Sequence, residues 1–292
     1  MKPPPFRYYD PATLDEAVGL LGTLENAKLL AGGQSLMPML NMRFVLPDHL
    51  IDLNGIAALS HISKEAGRVR VGAMTRQRDL EFSPLITAEV PLIQAGLEHV
   101  GHRQTRNRGT IGGSLCHLDP AAELVTVAMT LDAELTVRGP QGERRLAITE
   151  FPLGFMTPAI ELDEILVGID FPTQPAGHGY GFAELARRHG DFAIASAAAI
   201  LHLDAGGRIT HAALTLGGVA TTPTRMSDIE QGLVGEIPSE RLFTERCRLC
   251  AEVETMDDAL VTGAYRRRVA PVMARRALMQ AAARAGAAAI AA

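Results

Sequence analysis

The chain has 292 residues, of which 47% are hydrophobic and 21% charged. This is the balance of a globular protein, and it excludes a disordered chain or a bundle of membrane spans. A formal charge of −5 removes any broad electrostatic reason to bind nucleic acid, and the length predicts two or three compact units.

In chain order, "MKPPPFRYYDPATLDEA" has no apolar stretch of secretory type, and no later segment has the length of a membrane span, so a cytoplasmic protein is expected. Thr13, with Glu16 three residues on, reads as a capping box opening a helix through Leu14, Ala17, Val18 and Leu21. Ala27 to Ala31 and His49 to Leu53 read as short buried strands, giving a first unit over 1–60. A second unit, 61–176, starts with the alternating Val69 and Val71 and continues through a helical run from Leu85 to Gly101. Asp119-Pro120 then predicts a helix start, before strand-like "AELTVR" and "EILVGIDFP". Glycine-rich "PAGHGYGF", 175–182, reads as the linker to a third unit, 177–286. That unit should hold a hairpin closed at Ala205-Gly206-Gly207, then helices, with 287–292 as a frayed tail. The triplet Arg266 to Arg268 reads as a solvated helix face.

Three cysteines, Cys116, Cys247 and Cys250, make no disulfide framework in a chain this long. Cys247 and Cys250 form a single C-x-x-C within a helical pattern. A zinc or iron–sulfur site needs four ligands, so the chain cannot hold a four-thiolate cluster of its own.

Two glycine pairs carry the chemical signal. Gly32-Gly33 is followed by Gln34 and Ser35, and Gly112-Gly113 lies between Thr110 and Ser114. Glycine lets backbone approach a diphosphate while successive N–H groups converge on its oxygens, and a hydrogen bond to a charged group contributes about 1.5–3 kcal/mol. Two such loops could hold a dinucleotide without a lysine. Neither matches the G-x-G-x-x-G or Walker fingerprints, and either alone reads first as an ordinary turn.

Taken together, "LLAGGQSLMPMLNMRF", "VRVGAMTRQRDLE", "GHRQTRNRGTIGGSLCHLDPAAEL" and "ARRHGDFAIA" resemble the FAD-binding medium subunit of the molybdenum hydroxylases, the xanthine and carbon monoxide dehydrogenase family. The resemblance runs from Phe6 to about Ala283. It implies an α+β fold: two subdomains of the vanillyl-alcohol oxidase type clasping FAD, then a C-terminal domain with a small antiparallel sheet and helices. It also implies that Leu29, Leu30, Ala31, Gly32, Gly33, Gln34, Ser35 and Leu36, with Thr110, Ile111, Gly112, Gly113 and Ser114, grip the FAD diphosphate. Glu123 would meet the sugar-like portion, and Gly101 and Leu166 would lie near the cofactor. His117, Asp119, Glu184, Asp191 and Phe192 are flavin-proximal candidates. Two departures stand out: Glu184 occupies a position where relatives often have lysine, and Phe192 one where some have tyrosine.

The resemblance further implies an electron-transfer subunit. Electrons would come from two iron–sulfur clusters on a small subunit, after hydroxylation at a molybdenum cofactor on a large one, and pass to an external acceptor. A doubled heterotrimer is expected. A stand-alone FAD oxidase or reductase and a flavin-free scaffold are the alternatives. No catalytic residue is assigned, and His99 with His102 lacks a third ligand at metal spacing.

Overall fold

The computed structural model describes residues 1–286; the tail expected at 287–292 lies outside the described residues. The first unit contains β1 (Arg7–Tyr9), α1 (Leu14–Thr23), β2 (Ala27–Leu30), α2 (Leu36–Asn41) and β3 (His49–Asp52). Its three strands form a parallel sheet in the order β1-β3-β2, with Leu30 opposite Asp52. Thr13 caps α1 as expected, its hydroxyl accepting the Glu16 N–H at 3.2 Å. The Glu16 carboxylate accepts from the Ala12 N–H, one residue outside a true capping box. The buried face of α1, Ala17, Val18 and Leu21, packs with Ile51, Leu53, Met74 and Ile165, so this small core is shared with the next unit.

The second unit runs through β4 (Ile62–Glu65), β5 (Arg68–Gly72), α3 (Gln77–Glu81), α4 (Pro84–Glu89), α5 (Leu92–Leu97), α6 (Arg103–Arg108), α7 (Ile111–His117) and α8 (Glu123–Thr130). It continues with β6 (Glu134–Gly139), β7 (Gly142–Ala147), the ribbon β8 (Pro152–Gly154) and β9 (Thr157–Pro158), and β10 (Ile165–Pro172). The main sheet is antiparallel, ordered β4-β5-β10-β6-β7. Two expectations need correction. The helical run from Leu85 to Gly101 is broken at Val90-Pro91, because proline offers no N–H to the preceding turn and disfavours helical backbone in the residue before it. The helix expected at Asp119-Pro120 starts four residues later: the Asp119 carboxylate accepts the Ala121 N–H at 2.8 Å, closing a turn, and α8 begins at Glu123.

The third unit holds β11 (Gly179–Leu185), β12 (Ala195–Leu203), β13 (Ile209–Gly217), β14 (Thr224–Arg225), α9 (Ser227–Leu233), α10 (Glu240–Arg246) and α11 (Gly263–Arg284). Its antiparallel sheet is ordered β11-β12-β13-β14. The expected hairpin joins β12 to β13, where Asp204 accepts from the N–H groups of Gly206 and Arg208. "GHGYG" is not purely a linker, since Gly179 and Gly181 lie in β11 under α11. A Cβ on either would come within 2.0 Å of a carbonyl oxygen, Ala281 O or Ala277 O, so these glycines let the helix rest on bare backbone. Arg266 is not part of a solvated face. It is 2% exposed, donates to the Ile194 and Gly218 carbonyls, and pairs with Asp258. Cys247 and Cys250 are buried on a 3₁₀ turn, Cys247–Glu252, that continues α10.

One face of the third sheet, through Phe182, Ala198, Ile200 and Ala213, joins the core of the second unit around Leu97, Val125 and Val127. The other face packs under α11 through Ala197, Ala199 and Leu214. The seam between these units is therefore continuous core, stitched at its edge by the Gly218 N–H donating to the Pro120 carbonyl at 2.7 Å.

Candidate functional site

The strand β2 delivers Ala31 to Ser35 to the end of the first sheet, beside the segment that enters α7. A cleft of about 330 Å³ opens there, lined by Leu30, Ala31, Gly32, Gly33, Gln34, Met37, Pro38, Asp52, Asn54 and Arg108. The N–H groups of Gly32, Gly33, Gln34 and Ser35 donate to no other described residue. Gly33, at φ +74°, takes the left-handed conformation that turns this run of amides, and the Gln34 amide side chain is spent on the Gly32 carbonyl at 3.1 Å.

The second glycine pair works differently from the first. Gly112 and Gly113 do not precede a helix but lie in the first turn of α7. Their amides are committed: Ile111 N–H to Thr75 O, Gly112 N–H to Ala73 O, Gly113 N–H to the Thr110 hydroxyl, and Ser114 N–H to Thr110 O. Gly112 is glycine because a Cβ would sit 2.6 Å from both Ala73 Cβ and Ala73 O, and Gly113 approaches Ala31 of the first segment. Gly32 presses so closely on the other segment that its Cβ would lie 2.3 Å from Arg108 O and 2.8 Å from Gly109 Cα. Two of these four glycines thus close-pack backbone on backbone, and the free donors come from the first segment. Both glycine pairs were expected to offer amides, and only the first leaves them free.

Arg76 and Asn54, which the sequence reading missed, hold the two segments together. The half-buried Arg76 guanidinium donates to the Arg108 carbonyl and to Asn54 Oδ1. Asn54 in turn donates to the Ala31 carbonyl at 2.9 Å. Burial and then the neighbouring Arg108 lower the Arg76 pKa. Arg108 itself lines the cleft, so a cation supplements the amides. Arg108 had an advance signal in the arginine-rich "RQTRNRG" ahead of the second glycine pair, Arg76 lies within "VRVGAMTRQRDLE", and Asn54 had none.

Other expected residues fall in three places. Leu29 packs in the first core, Ile111 is buried in the second, Leu36 opens α2, and Leu166 is 4% exposed within the core, so its side chain does not line the cleft. Gly101, at φ +43°, meets the loop after β11, where a Cβ on Gly190 would lie 2.9 Å from Gly101 O. Beyond Gly190, Asp191 pairs with Arg188 at 3.6 Å and Phe192 is 70% exposed. His117 ends α7, its pKa lowered by burial despite Asp119.

Glu123 and Glu184 form a third group. Burial, with some help from Asp119, pushes the Glu123 carboxyl up to about 7, and burial followed by Glu123 pushes Glu184 up to about 8. His99 Nδ1 lies 3.8 Å from Glu184 Oε1, and burial and then His189 lower its pKa. No group of three or more metal-ligating side chains occurs among the described residues.

The cleft fits the diphosphate of a dinucleotide: convergent free amides, one arginine, and glycine backbones that a Cβ would clash with. The family described as FAD binding domain in molybdopterin dehydrogenase matches residues 4–174, and that described as CO dehydrogenase flavoprotein C-terminal domain matches 180–281. The carbon monoxide dehydrogenase medium chain of Hydrogenophaga pseudoflava is 36% identical over 280 residues, 95% of this chain and 97% of that one. The 6-hydroxypseudooxynicotine dehydrogenase complex subunit alpha of Paenarthrobacter nicotinovorans is 40% identical over 235 residues, 80% of this chain and 79% of its own. Among solved structures, carbon monoxide dehydrogenase from H. pseudoflava superposes with a TM-score of 0.94 at 37% identity, covering 97% of this chain and 99% of that one. Quinoline 2-oxidoreductase from Pseudomonas putida 86 gives 0.93 at 36% identity, covering 98% and 99%. With the cleft, the α+β architecture and both domain matches in agreement, the chain belongs to the FAD-binding medium subunits of the molybdenum hydroxylases, the family of the carbon monoxide dehydrogenase medium chains.

Proposed function

We propose that this chain binds FAD and serves as the electron-transfer subunit of a molybdenum-dependent hydroxylase or dehydrogenase. It would receive electrons from iron–sulfur clusters on a small subunit and pass them to an external acceptor, while a large subunit carries the molybdenum cofactor and binds the substrate. The observation that carries the reading is the cleft, where four unspent amides and Arg108 converge beside two segments held together by Arg76. FAD supplies two-electron redox chemistry when bound. The chain's own residues bind and orient it: Gly32 to Ser35 offer donors to the diphosphate, Arg108 supplies positive charge, and α7 with Asn54 fixes the walls.

The division of labour among subunits is supported by the cysteines. Burial pushes the Cys116 thiol up to about 12, and Cys250 is raised above its usual range first by its hydrogen bond with Cys247 and then by burial. Three cysteines are also one short of the four thiolates that such a cluster needs. The three larger sheets, one to each stretch, support units at 1–60, 61–176 and 177–286. A cytoplasmic complex of two heterotrimers completes the reading. Isolation of the native complex tests it: large, medium and small subunits should copurify with flavin, iron and molybdenum. A chain that purifies alone and turns over a small substrate without partners refutes it, and a colourless chain that ignores added FAD favours the scaffold alternative.

A further inference from the structure

The face of β11 that meets the second unit carries Phe182 and Glu184, two residues apart and therefore on one side of the strand. Phe182 enters the apolar core. Glu184 is equally deep, its side chain 2% exposed, yet it carries a carboxyl group. One oxygen lies 3.8 Å from His99 Nδ1, and the other, Oε2, is buried with no hydrogen-bond partner among the described residues. Opposite it in register, the Ser196 hydroxyl is also buried and unpartnered. A second carboxyl, Glu123, is 8% exposed at the first position of α8.

The charged and titratable groups around this pair are few. Asp119 precedes Glu123, His99 and the exposed Glu98 come from the end of α5, and His189 comes from the loop after β11. Among the described residues no lysine or arginine comes within ion-pair distance of either carboxyl, and His99 is biased towards its neutral form by burial. Two buried carboxyls without a cation resist joint ionisation, because each charge is desolvated and the two repel. The chain connects the pair to the cleft wall through α7: its first turn holds the second glycine pair, where a Cβ on Gly113 would lie 3.4 Å from Ala31, the helix runs about 10 Å, and residues 118–122 lead from its end to Glu123.

We propose that Glu184 and Glu123 form a proton-holding pair coupled to the bound flavin, carrying one proton between them when the flavin is oxidised and taking a second from solvent when it is reduced. The inference rests on the FAD-carrying reading above. In the complex the two electrons come from the iron–sulfur partner. One proton joins the flavin ring, and the remaining negative charge raises the proton affinity of the pair. A water or buffer acid then gives up a second proton: its own bond to that hydrogen breaks, an O–H bond forms on the ionised carboxylate, and the donor's conjugate base stays in solution. The pair would thus offset the charge of the reduced cofactor where no lysine stands.

The test counts protons. The full chain, loaded with FAD and reduced by dithionite at about pH 7.5 in weak buffer with a pH indicator, should take up close to two protons per flavin after correction for the reductant, and Glu184→Gln close to one. Uptake of one proton by the unmodified chain, or equal uptake by both, overturns the proposal. Infrared difference spectra of the unmodified chain need no variant: reduction should increase a protonated-carboxyl stretch that shifts in D₂O, and no change there overturns the proposal. A chain that binds no FAD refutes the parent reading, whereas a chain that binds FAD and takes up one proton refutes this inference alone.

Discussion

Replacing Gly32 by alanine should release FAD although no side chain is taken from the cleft. The added methyl would lie 2.3 Å from Arg108 O and 2.8 Å from Gly109 Cα, both backbone atoms. Neither can swing away as the end of a side chain can. Relief to ordinary contact separates the two segments by about 1 Å, and overpacking of this kind costs about 1–3 kcal/mol of stability. A shift of that size exceeds the tolerance of an N–H···O bond, for which donor–acceptor distances of about 2.7–3.2 Å are favourable. Loss of one charge-assisted bond, at about 1.5–3 kcal/mol, weakens FAD binding by roughly 10- to 150-fold. Flavin fluorescence titration of the apo chain measures the affinity, and thermal unfolding of the same sample measures the stability. Gly33→Val is the comparison: its φ of +74° strains any β-branched residue, while its Cβ meets only the Leu30 and Met37 side chains at 3.3 Å. It should lose flavin with a smaller loss of apo stability. A Gly32→Ala protein with unchanged FAD affinity and melting temperature would refute the reasoning that this glycine serves the contact between segments.

Arg76→Met should weaken FAD binding at least tenfold, since Arg76 joins Asn54 to the Arg108 carbonyl; equilibrium titration checks this, and Arg76→Lys should restore only part of it. Arg266→Met leaves the Ile194 and Gly218 carbonyls without their donor and should lower the unfolding free energy by about 2–5 kcal/mol in urea melts. Stability should also fall as pH rises from about 5 to 8. Glu123 and Glu184 have folded pKa values near 7 and 8, above their ordinary 4.5, so their contribution is complete below the unfolded value and is lost as pH rises through the folded ones. Urea midpoints against pH should show this decline, and Glu184→Gln should flatten it. At the acid end the sign reverses: burial, then His211 and His178, hold His202 near 4, so the stability its neutral form permits is lost as pH falls from 6.5 towards 4, which the same midpoints would record.

Local signals in the sequence carried most of the fold. The Thr13 cap, the alternating Val69 and Val71, and the Ala205-Gly206-Gly207 turn each set their own geometry and stand where expected. Pro91 breaks its helix for a reason equally visible in the chain, yet the apolar periodicity across it hid the break. What could not be read depends on contacts distant in sequence. "GHGYG" becomes strand because α11, a hundred residues later, needs bare backbone beneath it, and Arg266 is buried because two carbonyls near residues 194 and 218 require a donor. The cleft was half legible. Both glycine pairs were visible, but which amides stay free is decided by Ala73 and Thr110: the Ala73 carbonyl takes the Gly112 N–H and the Thr110 hydroxyl takes that of Gly113.

The Arg76 bridge has a kinetic and entropic consequence. Because one guanidinium spans from the Asn54 amide to the Arg108 carbonyl, the spacing of the two walls is set by protein contacts before any ligand arrives. The loop of free amides is thus preorganised, and association need not be offset by the ordering of backbone that a collapsing loop would require. A cofactor meeting such a rigid mouth should bind in a single kinetic phase whose rate rises linearly with its concentration, with the lifetime of the complex, rather than its formation, setting how tightly it is held.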